Sequence, residues 1–263
     1  MRQTITQYIM VILLVVGAYM LGMYKTKVEY LENGAANTVA QVGQPAGAPP
    51  AGQPVDIARV ESLFEDESNL VLGKRDAKIK FVEFSDTSCP FCHVAAGHNP
   101  ELAKQMNPQF ITVDQGGTYV PPVQEIKKLV DEGKAALAWF YTPGHGNGEL
   151  GTLALYCANE QGKFWEAHDL LMNNEGYTLV NDKVKNDRTK FAEVVSFLSS
   201  AVDSGKLTSC LESKKYEGRV TSDPQVASGF GYGATPTFFI NEKVVEGAAS
   251  WNDSFKSVVE GLL

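Results

Sequence analysis

The feature that most restricts the fold of this chain is a strand followed within a few residues by two closely spaced cysteines. Residues 77–84 (AKIKFVEF) are rich in residues that favour β-strands, and DTSCPFC follows them directly. Pro90 suits the first turn of a helix, where its missing N–H is not needed. The order therefore predicts a strand, a short loop and a helix that begins at Cys89.

The five residues Cys89-Pro-Phe-Cys92-His93 fit two incompatible chemistries. As C-x-x-C they form a redox dithiol, and as C-x-x-C-H they match the attachment site of a c-type haem. His98 lies five residues after His93, about 140° around a helix, so the two histidines cannot ligate one metal from the same helix face. Zinc is disfavoured because no second C-x-x-C is present. We therefore expect no metal and no cofactor other than a redox-active disulfide between Cys89 and Cys92.

The predicted helix start gives the two cysteines different roles. The thiolate is the reactive form, and the unpaired N–H groups and positive dipole end at a helix N-terminus stabilise an anion at Cys89. Cys92 lies one turn further on the same face and can close a disulfide ring with Cys89.

The N-terminus predicts where the chain acts. Residues 8–23 (YIMVILLVVGAYMLGM) are almost continuously apolar and, with their uncharged flanks, are long enough to span a bilayer. We interpret 1–7 as a short tail and 8–24 as a transmembrane signal anchor; a cleaved signal peptide is the alternative. Both interpretations place the bulk of the chain outside the cytosol, where disulfides persist.

A linker and one folded unit follow the anchor. Residues 25–55 become rich in Gly, Ala and Pro from residue 34 onward and predict a flexible tether. Residues 56–263 predict one domain with element order β, α, β, helical block, β, β, α, preceded by a helix that Asp56 caps. In the same domain Ser250 is expected to cap the last helix.

The charge of the chain argues against one class of partner. The formal net charge is −8 and the pI is about 5.1. Such a chain cannot neutralise a row of phosphates, so we expect no nucleic-acid partner.

Three segments in a fixed order carry a resemblance to a known family. VLGKRDAKIKFVEFSDTSCPFC, GKFWEAHDLL and GATPTFFIN resemble the DsbA-like thioredoxin-fold oxidoreductases over roughly residues 56–263. The resemblance implies an α/β thioredoxin fold with a helical insertion at about 150–220. It also implies that Cys89 is the exposed nucleophile, Cys92 the resolving thiol and Pro236 a cis-proline facing them, with Thr235 before it.

The same resemblance makes Glu83 the buried acid beneath the active site and a proton acceptor for Cys92. Independently, Glu83 shares its strand parity with Ile79 and Phe81, which points it inward, where desolvation raises the pKa of a carboxyl group. The chain departs from the family in having Phe91 between Pro90 and Cys92. That leaves His93, if protonated, as the neighbouring cation.

Two further features stay open at this stage. Residues 95–122 are longer than the usual family link, and they form either a flap beside the site or an inert surface loop. Cys157 and Cys210 are 53 residues apart, and outside the cytosol we expect a structural disulfide between them, with two separate buried thiols as the alternative.

These observations predict a membrane-tethered, extracytoplasmic enzyme that forms disulfides in unfolded or reduced secreted proteins. A separate membrane partner is expected to reoxidise it. A disulfide isomerase or reductase would have the same site residues. A non-enzymatic tethered chaperone that binds peptides beside Pro236 is the alternative from another class.

Overall fold

The computed structural model describes residues 55–263. The sequence predictions of a tail at 1–7, an anchor at 8–24 and, apart from Val55, a linker at 25–55 lie outside the described residues. Within residues 55–263, no helix has the length and apolar character needed to cross a bilayer. Val55 itself is buried, and its N–H donates to Glu242 O (3.1 Å).

A five-stranded mixed sheet forms the centre of the domain, in the order β1-β3-β2-β4-β5. The central strands β2 and β3 are parallel, and each of the remaining neighbours pairs antiparallel. The strands are β1 (Val71–Gly73), β2 (Ile79–Ser85), β3 (Ala135–Tyr141), β4 (Thr237–Ile240) and β5 (Lys243–Glu246). This connectivity, with helices on both faces, is a thioredoxin-like α/β fold.

Helices connect and cover the strands. They are α1 (Ile57–Glu65), α2 (Pro90–Ala96), α3 (Pro100–Met106), α4 (Pro122–Asp131), α5 (Glu149–Asn159), α6 (Phe164–Leu171), α7 (Asn174–Thr178), α8 (Phe191–Phe197), α9 (Ser204–Glu212), α10 (Glu217–Gly229) and α11 (Lys256–Leu262). The predicted start of α1 is confirmed, because the Asp56 carboxylate accepts from Ala58 N–H (3.0 Å). The predicted start of α2 is confirmed as well, with Cys89 as its N-cap residue and Pro90 in its first turn.

Alternate residues of β2 enter two separate cores, as the strand pleat requires. Ile79 and Phe81 pack on the same side of the sheet as Val94 of α2. Val82 and Phe84 pack on the opposite side, against α1 and α10. Glu83 and Ser85 share the parity of Phe81 and therefore lie on the face that α2 covers.

A helical block from α5 to α10 separates β3 from β4 and has its own apolar core. Its buried residues include Leu155, Phe164, Val180 and Val194. A turn in which Gly162 adopts a positive φ separates α5 from α6. A side chain is strained in that conformation, so the break follows from glycine.

Two features of the fold differ from the sequence predictions. Strand β1 was not expected, because three residues give no periodic signal, and it forms by pairing antiparallel with β3. The expectation that the Ser250 side chain caps the last helix is wrong. Its hydroxyl instead accepts from Val120 N–H (3.0 Å), while the chain after it forms one turn, Trp251–Phe255, before α11.

Candidate active site

The sheet topology brings three loops to one edge. Ser85 and Tyr141 are paired at the carboxyl ends of the parallel strands β2 and β3. Phe84 pairs with Thr237, so the amino end of the antiparallel strand β4 lies at the same edge. The loops that follow β2 and β3 therefore meet the loop that precedes β4, and Cys89 lies where they converge.

Cys89 is the N-cap residue of α2. It is only 4% exposed, so the expectation of an exposed nucleophile is wrong: the loops that converge here cover the residue. Both Cys89 and Cys92 are free thiols, so the structure represents the reduced form. The Cys92 thiol, which hydrogen-bonds to the Cys89 sulfur, lowers the pKa of Cys89 to about 6. The side chain of Thr235 also lowers the pKa of Cys89. The N–H groups of Phe91 and Cys92 lower it as well, as expected at a helix N-terminus.

Cys92 lies in the opposite environment. It is 1% exposed and packs with Ala96 and Met172 in a small apolar cluster behind Cys89. Burial raises the pKa of Cys92 well above its ordinary value, and the hydrogen bond with Cys89 raises it further. At neutral pH Cys92 therefore holds its proton while Cys89 is largely a thiolate.

The Thr235–Pro236 peptide bond is cis and lies beside the dithiol. The carbonyl oxygen of Thr235 is 3.4 Å from Cys89 Sγ and accepts its hydrogen bond. The carbonyl oxygen of Pro236 accepts from Gly247 N–H (2.8 Å), which ties the turn to the end of β5. The backbone of Thr235 thus lies directly beside the sulfur of Cys89.

Glu83 is fully buried on the α2 side of β2, as its parity predicts. Burial raises the pKa of Glu83 to about 7. Ser85, two residues further on the same face, has a hydroxyl that lowers the pKa of both Glu83 and Cys92. Glu83 Oε2 has no hydrogen-bond partner among the described residues. The Ser85 hydroxyl lies near the carboxyl group of Glu83 and near the inner thiol, and both of those groups are buried.

His93 does not provide the cation that the sequence analysis considered. Its ring is buried, with Nδ1 2.9 Å from Met172 O and Nε2 3.0 Å from Thr87 O. Burial lowers the pKa of His93 to about 4, although the two carbonyl groups oppose that shift. His93 is neutral at physiological pH and connects α2 to the segment after α6.

Phe91 presents an apolar surface at the site, with 45% of the residue exposed. Its ring lies edge-on to Phe110, at a centroid distance of 6.2 Å, and Phe110 contacts Tyr119 in the same way at 5.5 Å. Phe110 and Tyr119 belong to the long 95–122 segment, in which Thr112 and Tyr119 form an isolated bridge. This segment therefore borders the active-site helix.

Cys157 on α5 and Cys210 on α9 are joined by a disulfide, with their Cα atoms 5.8 Å apart. The bond links two helices of the helical block through its apolar core. Neither sulfur belongs to the cluster that surrounds Cys89 and Cys92.

Sequence reasoning missed the residues that fasten the loop after β3 to this site. Asp86, Thr87 and Ser88 immediately precede Cys89, are fully buried and bond to residues 144–148. No sequence pattern indicated a role for this loop. The one available signal was the spacing of Asp86 and Ser88, which is typical of an Asx turn.

Comparisons with known proteins agree with this geometry. A family model described as thioredoxin matches residues 123–260. Disulfide bond formation protein D of Bacillus subtilis is 25% identical over 198 residues, which cover 72% of this chain and 75% of that protein. The Na⁺/H⁺ antiporter NhaA 3 of Salinispora tropica is 27% identical over 175 residues, or 65% of this chain. The chain spans only 21% of that antiporter's length.

Solved structures show the same fold. BdbD from Bacillus subtilis, in its oxidised form, superposes with a TM-score of 0.52 at 22% identity, over 80% of this chain and 96% of that chain. Alpha-DsbA1 from Wolbachia pipientis superposes with a TM-score of 0.54 at 18% identity, over 78% and 95%. The disulfide-forming homologue and these structural neighbours are thiol–disulfide oxidoreductases. Since the family match extends over more than half of the residues, this chain belongs to the thioredoxin family.

Proposed function

We propose that the protein is an extracytoplasmic thiol–disulfide oxidoreductase that forms disulfides in secreted or membrane proteins through Cys89 and Cys92. The observation that carries this proposal is the contrast between the two thiols. The pKa of Cys89 is lowered to about 6, whereas burial raises the pKa of Cys92. The sulfur of Cys89 is thus a good leaving group, and the sulfur of Cys92 behind it is a strong base.

The reaction begins with Cys89 and Cys92 joined in a disulfide. A substrate thiolate attacks the sulfur of Cys89, the bond to Cys92 breaks, and Cys92 leaves with the electron pair. Cys92 takes up a proton because its pKa is high, and Glu83 is the buried group that supplies it. A second substrate thiolate then attacks the substrate sulfur of the mixed disulfide and releases Cys89 as a thiolate. The substrate has lost two electrons, and the enzyme dithiol has gained them.

The pKa of Cys89 supports the oxidising direction over the isomerase or reductase alternative. Stabilising the Cys89 thiolate stabilises the reduced enzyme relative to its disulfide, which makes the disulfide a stronger oxidant. In this proposal the two sulfurs are the redox group, without a further cofactor.

A redox titration of the full chain tests the direction. The chain carries Cys157→Ser and Cys210→Ser so that only one pair titrates, and thiol trapping measures its state in glutathione buffers. We expect a potential nearer the roughly −120 mV of a strong oxidant than the roughly −270 mV of thioredoxin. A value close to that of thioredoxin would reassign the protein as a reductase.

The location and partners also belong to the proposal. We place the anchor at residues 8–24 and the catalytic domain outside the cytosol, where reduced secreted chains are the substrates and a membrane protein accepts the electrons. After intact cells are treated with a membrane-impermeant phosphine that reduces the disulfide, labelling of Cys89 by a small membrane-impermeant maleimide is the expected result. Labelling only after lysis would contradict this location.

Cys89→Ser separates the enzyme from the chaperone alternative. Loss of disulfide exchange is expected for the enzyme. Retention of peptide protection by this variant, together with no exchange in the wild type, would favour a chaperone.

A further inference from the structure

The loop between β3 and α5, residues 142–148 (TPGHGNG), is attached to the thiol site by four hydrogen bonds from the three consecutive residues 86–88. We call it the glycine-rich loop. Asp86 Oδ2 accepts from the N–H groups of Gly144 (2.7 Å) and His145 (2.9 Å). The Ser88 hydroxyl accepts from Asn147 N–H (3.2 Å), and the Thr87 hydroxyl donates to Gly148 O (3.0 Å).

The same carboxylate also shapes the turn that presents Cys89. Asp86 Oδ1 accepts from the N–H (2.8 Å) and the hydroxyl (2.7 Å) of Ser88. The carbonyl oxygen of Asp86 accepts from Cys89 N–H (3.0 Å). One buried side chain therefore fixes two things at once, the backbone entering Cys89 and the backbone of the glycine-rich loop.

Gly144 is the residue through which this loop contacts Cys89. A Cβ atom at Gly144 would lie 1.8 Å from Thr235 Oγ1 and 3.3 Å from Cys89 Cβ. No such atom fits without displacement, so the backbone of Gly144 is in contact with both Thr235 and Cys89. Gly148 is similarly restricted, because a Cβ there would lie 1.7 Å from Asp86 Oδ1.

Cys89 is consequently enclosed by α2, by the turn that carries Thr235 and by the glycine-rich loop. We propose that the glycine-rich loop is a third wall of the thiol site, that Asp86 is the positioning residue that holds it there, and that this wall limits the size of the group that reaches Cys89. This inference rests on the proposed thiol exchange at Cys89, and it adds a determinant of which thiols take part.

Asp86→Asn tests the positioning role with almost no change in shape. The amide retains one oxygen, so one of the two sets of N–H donors now faces an NH₂ group instead of an acceptor. We expect the loop to separate from Cys89 for a larger fraction of the time. An increase of about tenfold in that fraction corresponds to about 1.4 kcal/mol, which a single lost hydrogen bond to a charged group can account for.

The assay compares two maleimides of different size on the reduced full chain. N-ethylmaleimide is the small probe, and a maleimide that carries a long polyethylene glycol chain is the bulky probe with the same chemistry. Wild-type Cys89 is expected to discriminate strongly against the bulky probe. In Asp86→Asn the ratio of the two rate constants should fall by about tenfold, because the wall no longer excludes the larger group.

Gly144→Ala is the second variant and does not depend on the carboxylate. Its new methyl group pushes the loop away from Thr235, so the size ratio should fall here as well. Gly233→Ala is the matched control: it lies in the turn before Thr235, and a Cβ there meets nothing within 4 Å. Val194→Ala, in the core of the helical block, controls for a general loss of stability.

The outcomes separate this inference from the proposed function. Wild-type exchange activity is measured in parallel, and its absence would overturn the function. If the ratio of the two maleimide rate constants in both Asp86→Asn and Gly144→Ala equals that of the wild type, the inference of a third wall is overturned, even if exchange is normal. If Asp86→Asn does not fold, Gly144→Ala alone decides. A change in ratio that Val194→Ala reproduces would assign the effect to stability and would also overturn the inference.

Discussion

Removing the Cys92 thiol gives the sharpest test of how Cys89 is activated. Cys92 is the largest cause of the lowered pKa of Cys89, ahead of Thr235 and the backbone N–H groups of α2. The full displacement, from 9.0 to about 6, corresponds to about 4 kcal/mol at 1.36 kcal/mol for each pKa unit. In Cys92→Ala we expect the pKa of Cys89 to rise by one unit or more, since the largest stabilising contact is lost while burial still disfavours the anion.

The pH dependence of iodoacetamide alkylation measures this pKa directly, because only the thiolate reacts. Cys92→Ala leaves Cys89 as the single free thiol of the described chain, so the titration reports one group. At a pH near 6 the alkylation rate should fall about fivefold or more relative to the wild type. Cys92→Ser, which keeps a donor at the same position, is the matched control and should retain most of the shift.

An unchanged midpoint in Cys92→Ala would refute this reasoning. It would mean that the helix N-terminus and Thr235 stabilise the thiolate without help from Cys92.

Three further predictions concern the buried acid, its neighbour and the second cysteine pair. Glu83 has its pKa raised from 4.5 to about 7, so its contribution to stability is complete below 4.5 and is lost as the pH rises to about 7. Glu83→Gln should remove this dependence. Between these pH values its free energy of unfolding, measured in urea, should rise by about 3 kcal/mol relative to that of the wild type. Unfolding free energies of the two proteins that change in parallel with pH would contradict this prediction. Ser85→Ala should raise the pKa of Glu83 and of Cys92, because the hydroxyl lowers both; titration of the carboxyl by infrared difference spectroscopy checks the first, and an unshifted midpoint would refute it. Replacing Cys157 and Cys210 by serine opens a 53-residue loop and should cost about 4 kcal/mol in unfolding free energy, while alkylation of Cys89 keeps its wild-type pH profile.

Local sequence patterns were sufficient for the elements that carry the cysteines. Strand β2, the start of α2 at Cys89 and the inward direction of Glu83 follow from side-chain parity, proline at a first helical turn and the short loop between them. Each of these signals arises from residues within about ten positions of one another. Signals of this kind can be recognised in a single sequence.

The features that were missed depend on contacts between distant positions. Asp86 bonds to Gly144 across 58 residues, and Ser250 bonds to Val120 across 130. No periodicity connects such pairs, because their proximity results from the order of the strands in the sheet. The protonation state of His93 was equally hidden, since it is determined by the complete burial of the ring and not by its neighbours in sequence.

The pKa values of the two thiols and of Glu83 bear on different parts of the proposed reaction. Stabilising the Cys89 thiolate stabilises the reduced enzyme relative to its disulfide, and this is why the proposed function expects an oxidant. Glu83, with a pKa of about 7, is protonated in about half of the molecules at neutral pH, whereas burial raises the pKa of Cys92 well above its ordinary value. In the proposed reaction Glu83 would therefore be acidic enough to protonate Cys92 when the disulfide opens. Because the redox equilibrium at a fixed pH does not depend on which group relays the proton, this transfer would affect the rate of exchange, and the direction would follow from the Cys89 thiolate.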